Sequence, residues 1–188
     1  MIVTGDEVKK YSNISATAAT ITASGLIEAV QEKIIAYTNN CFTTPIYIDC
    51  SGSFDGNART LTASGFTDAG IMSGDDVYIY GPHRNGGVNE VTTATNTVLT
   101  FSTSSNIVSE ANQFARVAVI RWPLTVKIAA ALMIAYDYDT RPTLTPGVAS
   151  RTLGPFSESF AQGAFDFGIG YPREILSTLD MFKIARLD

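Results

Sequence analysis

The stretch WPLTVKIAAALMIAYDYD, Trp122 to Asp139, constrains the fold more than any other. From Leu124 to Tyr136 its only charge is Lys127, and apolar residues fall on nearly every side of the helix it would form. A helix apolar all round belongs in a core or in a membrane. This one falls short of the about 20 apolar residues that a bilayer requires, and Lys127 interrupts it. It is therefore expected to be the central helix of a soluble domain. Pro123 suits its first position, where a missing N–H costs little. Leu124, Ile128, Leu132 and Tyr136 are its expected core residues, and Asp137, Asp139 and Arg141-Pro142 end it.

Before this helix the pattern changes twice. Thr4-Gly5-Asp6-Glu7 reads as a capping box that opens a short helix through Val8 and Tyr11. Ser12 to Ser24 is rich in Ser, Thr and Ala without a clean period, and reads as a loop. Leu26, Ile27, Val30, Ile34 and Tyr37 then share one helical face, and Asn39-Asn40 ends that helix in a left-handed turn. This helix is expected to pack on Ile128–Tyr136. From Thr44 to Arg121 the reading is strands: Tyr47–Cys50, then a turn at Ser51-Gly52-Ser53, then Arg59–Leu61, Val77–Tyr80, Val88–Val91, Val98–Phe101 and Arg116–Ile120. Asn85-Gly86-Gly87 is a strong turn signal. These strands make a small antiparallel sheet or barrel.

After the central helix, Val148 to Ile169 alternates loosely and carries Phe156, Phe160, Phe165 and Phe167 among glycines, as an extended arm or a hairpin would. Tyr171-Pro172-Arg173-Glu174 opens a last helix, with Ile175, Leu179, Phe182 and Ala185 on one face and Arg173, Lys183 and Arg186 open to solvent or a partner. The fold class that results is α+β: a helical bundle of three to four helices with an inserted antiparallel β module and an extended C-terminal arm and helix. The helical part covers residues 1–43 and 122–188, and the β module covers 44–121.

Little here points to catalysis. With 188 residues the chain can bury a core without staples. A net charge of −5 with no Lys/Arg run speaks against capture of nucleic acid. Cys41 and Cys50 do not have zinc-site spacing and are expected as free thiols. Met1 to Tyr11 carries charges where a signal peptide needs an apolar run, so synthesis and retention in a cytoplasm are expected. The single histidine, His83, sits in a predicted loop with no oriented partner in sight. Asp75-Asp76 lacks EF-hand spacing, and Asp137 and Asp139 point to different helix faces. No phosphate loop, dinucleotide fingerprint or nucleophile elbow occurs. No enzyme, cofactor or metal is expected.

The order of elements resembles the head–tail connector proteins of tailed bacteriophages, also called adaptor or head-completion proteins. Four stretches carry the likeness: VTGDEVKKY at the start, LIEAVQEKIIAYTNNCF, the β stretch Leu61 to Ser102, and the Gly/Ser/Phe arm followed by YPREILSTLDMFKIAR. The long Ser12–Ser24 spacer departs from that pattern. The resemblance implies a structural virion protein at the capsid vertex, in the neck between head and tail, assembled in the host cytoplasm. It implies a ring, expected to be dodecameric, beneath the portal protein, which extends the channel for genomic DNA without sequence-specific binding. The ring would offer a surface to the next neck or tail protein, with no membrane involved. By position, the portal-docking helix would present Tyr171, Pro172, Ile175, Leu176, Leu179, Phe182, Lys183 and Arg186. Phe156, Phe160, Phe165 and Phe167 would belong to an arm lying across a neighbouring subunit. The competing reading is a binding module in which Tyr78, Tyr80, His83 and Arg84 recognise a carbohydrate or another virion protein.

Overall fold

The structure, a computed structural model, describes residues 1–140, 150–153, 156–159, 165–166 and 170–185. The chain divides at two places: Cys41–Trp122 with Met1 form one unit, and Ile2–Asn40 with Pro123–Asp188 form the other.

The first unit corrects the expected fold class. It is a closed six-stranded antiparallel barrel with its own core, not a small module set into a helical bundle. The strands are β1 (Thr43–Asp55), β2 (Thr60–Thr62), β3 (Asp76–Tyr80), β4 (Gly87–Ala94), β5 (Val98–Phe101) and β6 (Glu110–Ile120). They close in the order β1-β2-β5-β4-β3-β6. Ser51-Gly52-Ser53 is not a turn, because β1 runs straight through it. A Cβ on Gly52 would lie 2.6 Å from the Thr62 carbonyl oxygen, and the β1–β6 register shifts between Gly52 and Phe54. Glycine here permits a bulge and a close backbone approach, which lets one strand bend from β6 to β2. Because β1 is continuous, the sheet can close. Side chains then alternate: Val77 and Ile79 fill the interior with Leu61, Leu99 and Val117, while Tyr78 and Tyr80 face outward. Asn85 is buried and works as a clamp. Its side chain donates to the Val108 carbonyl (2.8 Å) and accepts from the Val108 N–H (2.7 Å), pairing a loop that has no ladder.

The second unit holds five α-helices among the described residues, more than the three or four expected. They are α1 (Gly5–Tyr11), α2 (Ala18–Ala23), α3 (Leu26–Thr38), α4 (Leu124–Ala135) and α5 (Arg173–Asp180). The capping box of α1 forms in full, with both Thr4 and Glu7 bonded across the first turn. Burial works against the Glu7 carboxylate, but the Lys127 ammonium at 2.9 Å and the Thr4 N–H outweigh it and hold its pKa below the usual range. Ser12–Ser24 is not all loop. Thr17 caps α2, and only Ile21 of that helix is buried, so one buried residue in six left no period to read. Asn39 ends α3 in the left-handed conformation, at φ 50°.

α4 is the centre of this unit and packs against α1, α3 and α5. Pro123 is its N-cap rather than its first residue. The buried face is not the large-residue ridge. Leu124 and Leu132 are 58% and 37% exposed, and Ile128 and Tyr136 are half-buried. The interior face is Val126, Ala129, Ala130, Ala131, Met133 and Ile134. Alanines let neighbouring helices come close on several sides, so small residues take the crowded positions and leucines the open ones. Past Ala135 the helix widens into a π turn, Tyr136–Thr140. Among the described residues, no helix is long and apolar enough to cross a membrane.

The arm region contains strand pairs. β7 (Ser150–Leu153) pairs antiparallel with β8 (Phe156–Ser159), and β9 (Phe165–Asp166) with β10 (Tyr171–Pro172). Of the two forms expected for this region, an extended arm or a hairpin, the β7–β8 pair is the hairpin.

Two substitutions test these units. Gly52→Ala places a methyl against backbone and is expected to lower stability by about 1–3 kcal/mol in urea melts. Ala131→Asp buries a carboxylate at a position with no exposure, and a loss of about 3–5 kcal/mol is expected. Soluble Ala131→Asp protein that melts like wild type would refute the assignment of α4 as the core helix.

Candidate functional site

The predicted docking residues are largely interior. Tyr171, Leu176 and Leu179 are buried, and Pro172, Ile175 and Phe182 are half-buried. The helix stops at Asp180 instead of running to the end of the sequence. The reason lies in α3: its last carbonyl, on Thr38, accepts from the Ile184 N–H at 2.8 Å, and the Asn40 side chain donates to the Phe182 carbonyl. Capping a helix end that would otherwise be unsatisfied outweighs another turn of α5. Lys183 bonds Asp180 at 2.8 Å and lies 3.8 Å from the centre of the Tyr37 ring. The exposed apolar side chains at this end are Met181 and Ile184, which sequence reasoning did not select. Phe156 lies in β8 and Phe165 in β9. Phe160, Phe167 and Arg186 lie outside the described residues.

Tyr171 belongs to a polar staple instead. Its hydroxyl bonds the Asp137 carboxylate, and Lys33 Nζ reaches both Tyr171 Oη (2.7 Å) and Asp137 (3.2 Å). This ties α3, the π turn and the start of α5 together. Asp137 and Asp139 are therefore more than a solvated helix end: Asp139 accepts from both the N–H and the hydroxyl of Ser15.

The barrel carries a different kind of surface. Its outer wall across β1, β6 and β3 has an open groove of about 410 Å³. Register builds it. Tyr47 and Tyr78 both pair with Ala118, so a small residue lies between two rings. One step along, Asp49 and Tyr80 both pair with Arg116. Phe114 follows, 61% exposed. Gly81 must stay small, since a Cβ there would sit 2.7 Å from the Phe114 carbonyl oxygen. Arg116 binds Asp49 through two parallel bonds, Nε–Oδ1 at 2.6 Å and Nη2–Oδ2 at 2.7 Å. Its guanidinium also lies 4.8 Å from the centre of the Tyr47 ring. The Arg116 bonds hold the Asp49 carboxyl below the usual carboxylate range. Tyr80 packs on Tyr78 at 4.4 Å between ring centres. Burial first, and the neighbouring Cys41 thiol second, push the Tyr80 pKa up to about 12.

Of the residues expected in a binding module, Tyr80 lines the groove and Tyr78 supports it. His83 and Arg84 are exposed in the β3–β4 connection and do not line it. Tyr47, Asp49, Phe114 and Arg116 were missed. The available signal was Val77-Tyr78-Ile79-Tyr80, a strand apolar on both faces although only one can point inward. Asp75 and Asp76 are engaged within the barrel, Asp75 by Arg121 (2.9 Å) and Asp76 by the Trp122 indole (3.1 Å). Both cysteines are free.

No protein-family model matches the chain, and no curated protein matches it.

The Tyr80 hydroxyl gives a pH test. Its folded pKa lies above the ordinary value of 10.0, so its contribution to stability is complete below about 10 and lost as pH rises through about 12. A difference absorbance titration of wild type against Tyr80→Phe should show one phenol ionising near about 12. Cys41→Ser should lower that midpoint.

Proposed function

We propose that the protein is a structural head–tail connector of a tailed bacteriophage. In this reading it forms a ring beneath the portal, extends the DNA channel and receives the next neck or tail protein. The observation that carries the reading is the β7–β8 ribbon between α4 and α5. It is a two-stranded sheet, so among the described residues its outer strand edges pair with no further strand. A lone two-stranded ribbon is marginal in water, and open edges invite a strand from another chain. In a ring each subunit meets the same neighbour by the same rotation, so one such segment is satisfied all the way round. The exposed ridge of Leu124 and Leu132 on α4 supplies apolar surface of the kind a subunit contact covers. On the portal side the reading shifts from the buried Tyr171, Leu176 and Leu179 to Met181 and Ile184, which are exposed. The weakly acidic balance, −5, suits DNA passage rather than capture.

The test is negative-stain microscopy of the purified protein, alone and mixed with the portal protein of the same virus. Rings are expected in at least one preparation. Deleting residues 150–159 should leave a protein that still melts cooperatively but no longer assembles. Absence of rings and of portal binding in both preparations would overturn the proposal.

A further inference from the structure

The aromatic groove of the barrel stands apart from the wall around it. Along β1 the outward positions change from Tyr47 to Asp49 and then to the exposed Ser51 and Ser53. The aromatic groove therefore gives way to polar positions along β1. Its size is that of a small-ligand site.

Three properties select the occupant. The first is charge. Arg116 is bound at two points by Asp49, so the groove offers neither a free cation for a phosphate or carboxylate nor a free carboxylate for an amine. The second is closure. Beneath it β6 is paired with β1 on one side and with β3 on the other, so an extended peptide cannot join the floor of the groove as an added strand. The third is the combination of surfaces. Ring faces carry negative π density, which attracts the weakly positive C–H groups on the flat side of a sugar. Beside the rings lie an Arg–Asp pair and the Thr43 and Thr44 hydroxyls, which can both donate to and accept from sugar hydroxyls. Two of the three rings are braced before any ligand arrives, Tyr47 by Arg116 and Tyr80 by Tyr78. Little ordering of these two rings is left to oppose binding.

We propose that this groove binds a neutral saccharide, with a sugar ring against Tyr47 and Tyr80 across Ala118 and Arg116 and the next ring toward Phe114. The site would give the barrel a glycan-binding role. It does not rest on the connector reading: ring assembly and saccharide binding succeed or fail separately.

Isothermal titration of the full chain with four probes tests this: maltohexaose, cellohexaose, N-acetylchitohexaose and mannohexaose. Saturable binding of at least one is expected. Tyr47→Ala and Phe114→Ala should each weaken it about tenfold or more, a loss within what one aromatic contact contributes. Tyr47→Phe should retain it, and all three variants should melt with wild type. Binding of none of the four overturns the proposal, as does equal binding by Tyr47→Ala. If no saccharide binds and Tyr47→Ala alters sedimentation, the groove is a protein contact and the saccharide reading falls.

Discussion

The barrel depends on the pairing of β1 with β6. These two strands close the ring of six, and β1 alone carries the chain from β6 to β2. Closure leaves no terminal strand of the kind an open sheet presents, although β2 pairs with β1 only from Ser53 to Asp55. It also fixes which side chains are inside. Once Val77, Ile79 and Val117 are inward, Tyr78, Tyr80 and Arg116 must be outward, because side chains alternate along a strand. The groove is thus a consequence of register. A slip of β1 by one residue against β6 would turn Asp49 inward, away from Arg116, and turn Cys50 and Phe54 out of the core.

The helical unit relies on two different devices. Around α4 it uses small residues: Ala129, Ala130 and Ala131 are all buried and let α1, α3 and α5 pack on one short helix. At the far end of α4 it uses polar bonds. Lys33, Asp137 and Tyr171 come from three separate segments and meet on one carboxylate. An apolar contact there would hold the segments together but would not fix their angle, whereas hydrogen bonds to a carboxylate are directional. The same logic ends α5. Its continuation is diverted to the open carbonyl of Thr38, and this turns a helix expected to offer its apolar face to a partner into one that packs on its own unit.

What could be read without coordinates was local. The Thr4–Glu7 capping box, the left-handed stop at Asn39 and the β5 strand at Val98–Phe101 each depend on neighbours within a few residues. The burial of α4 also followed from composition alone, since so apolar a segment has few soluble alternatives. Which face of α4 was buried did not follow. Hydropathy ranks leucine above alanine, but close helix packing reverses that order when space is short. Likewise α2 rests on one buried isoleucine, and β1 looked broken at Gly52, because a glycine in a turn and a glycine in a bulge read alike in sequence.

The groove marks the boundary most clearly. Sequence alone determined that Tyr78 and Tyr80 share a face, because a strand repeats every second residue. Only the tertiary structure decided that Tyr47, Asp49, Phe114 and Arg116 join them. That grouping depends on hydrogen-bonded register between strands dozens of residues apart, and register is set by the closure of the whole barrel rather than by any residue in the groove.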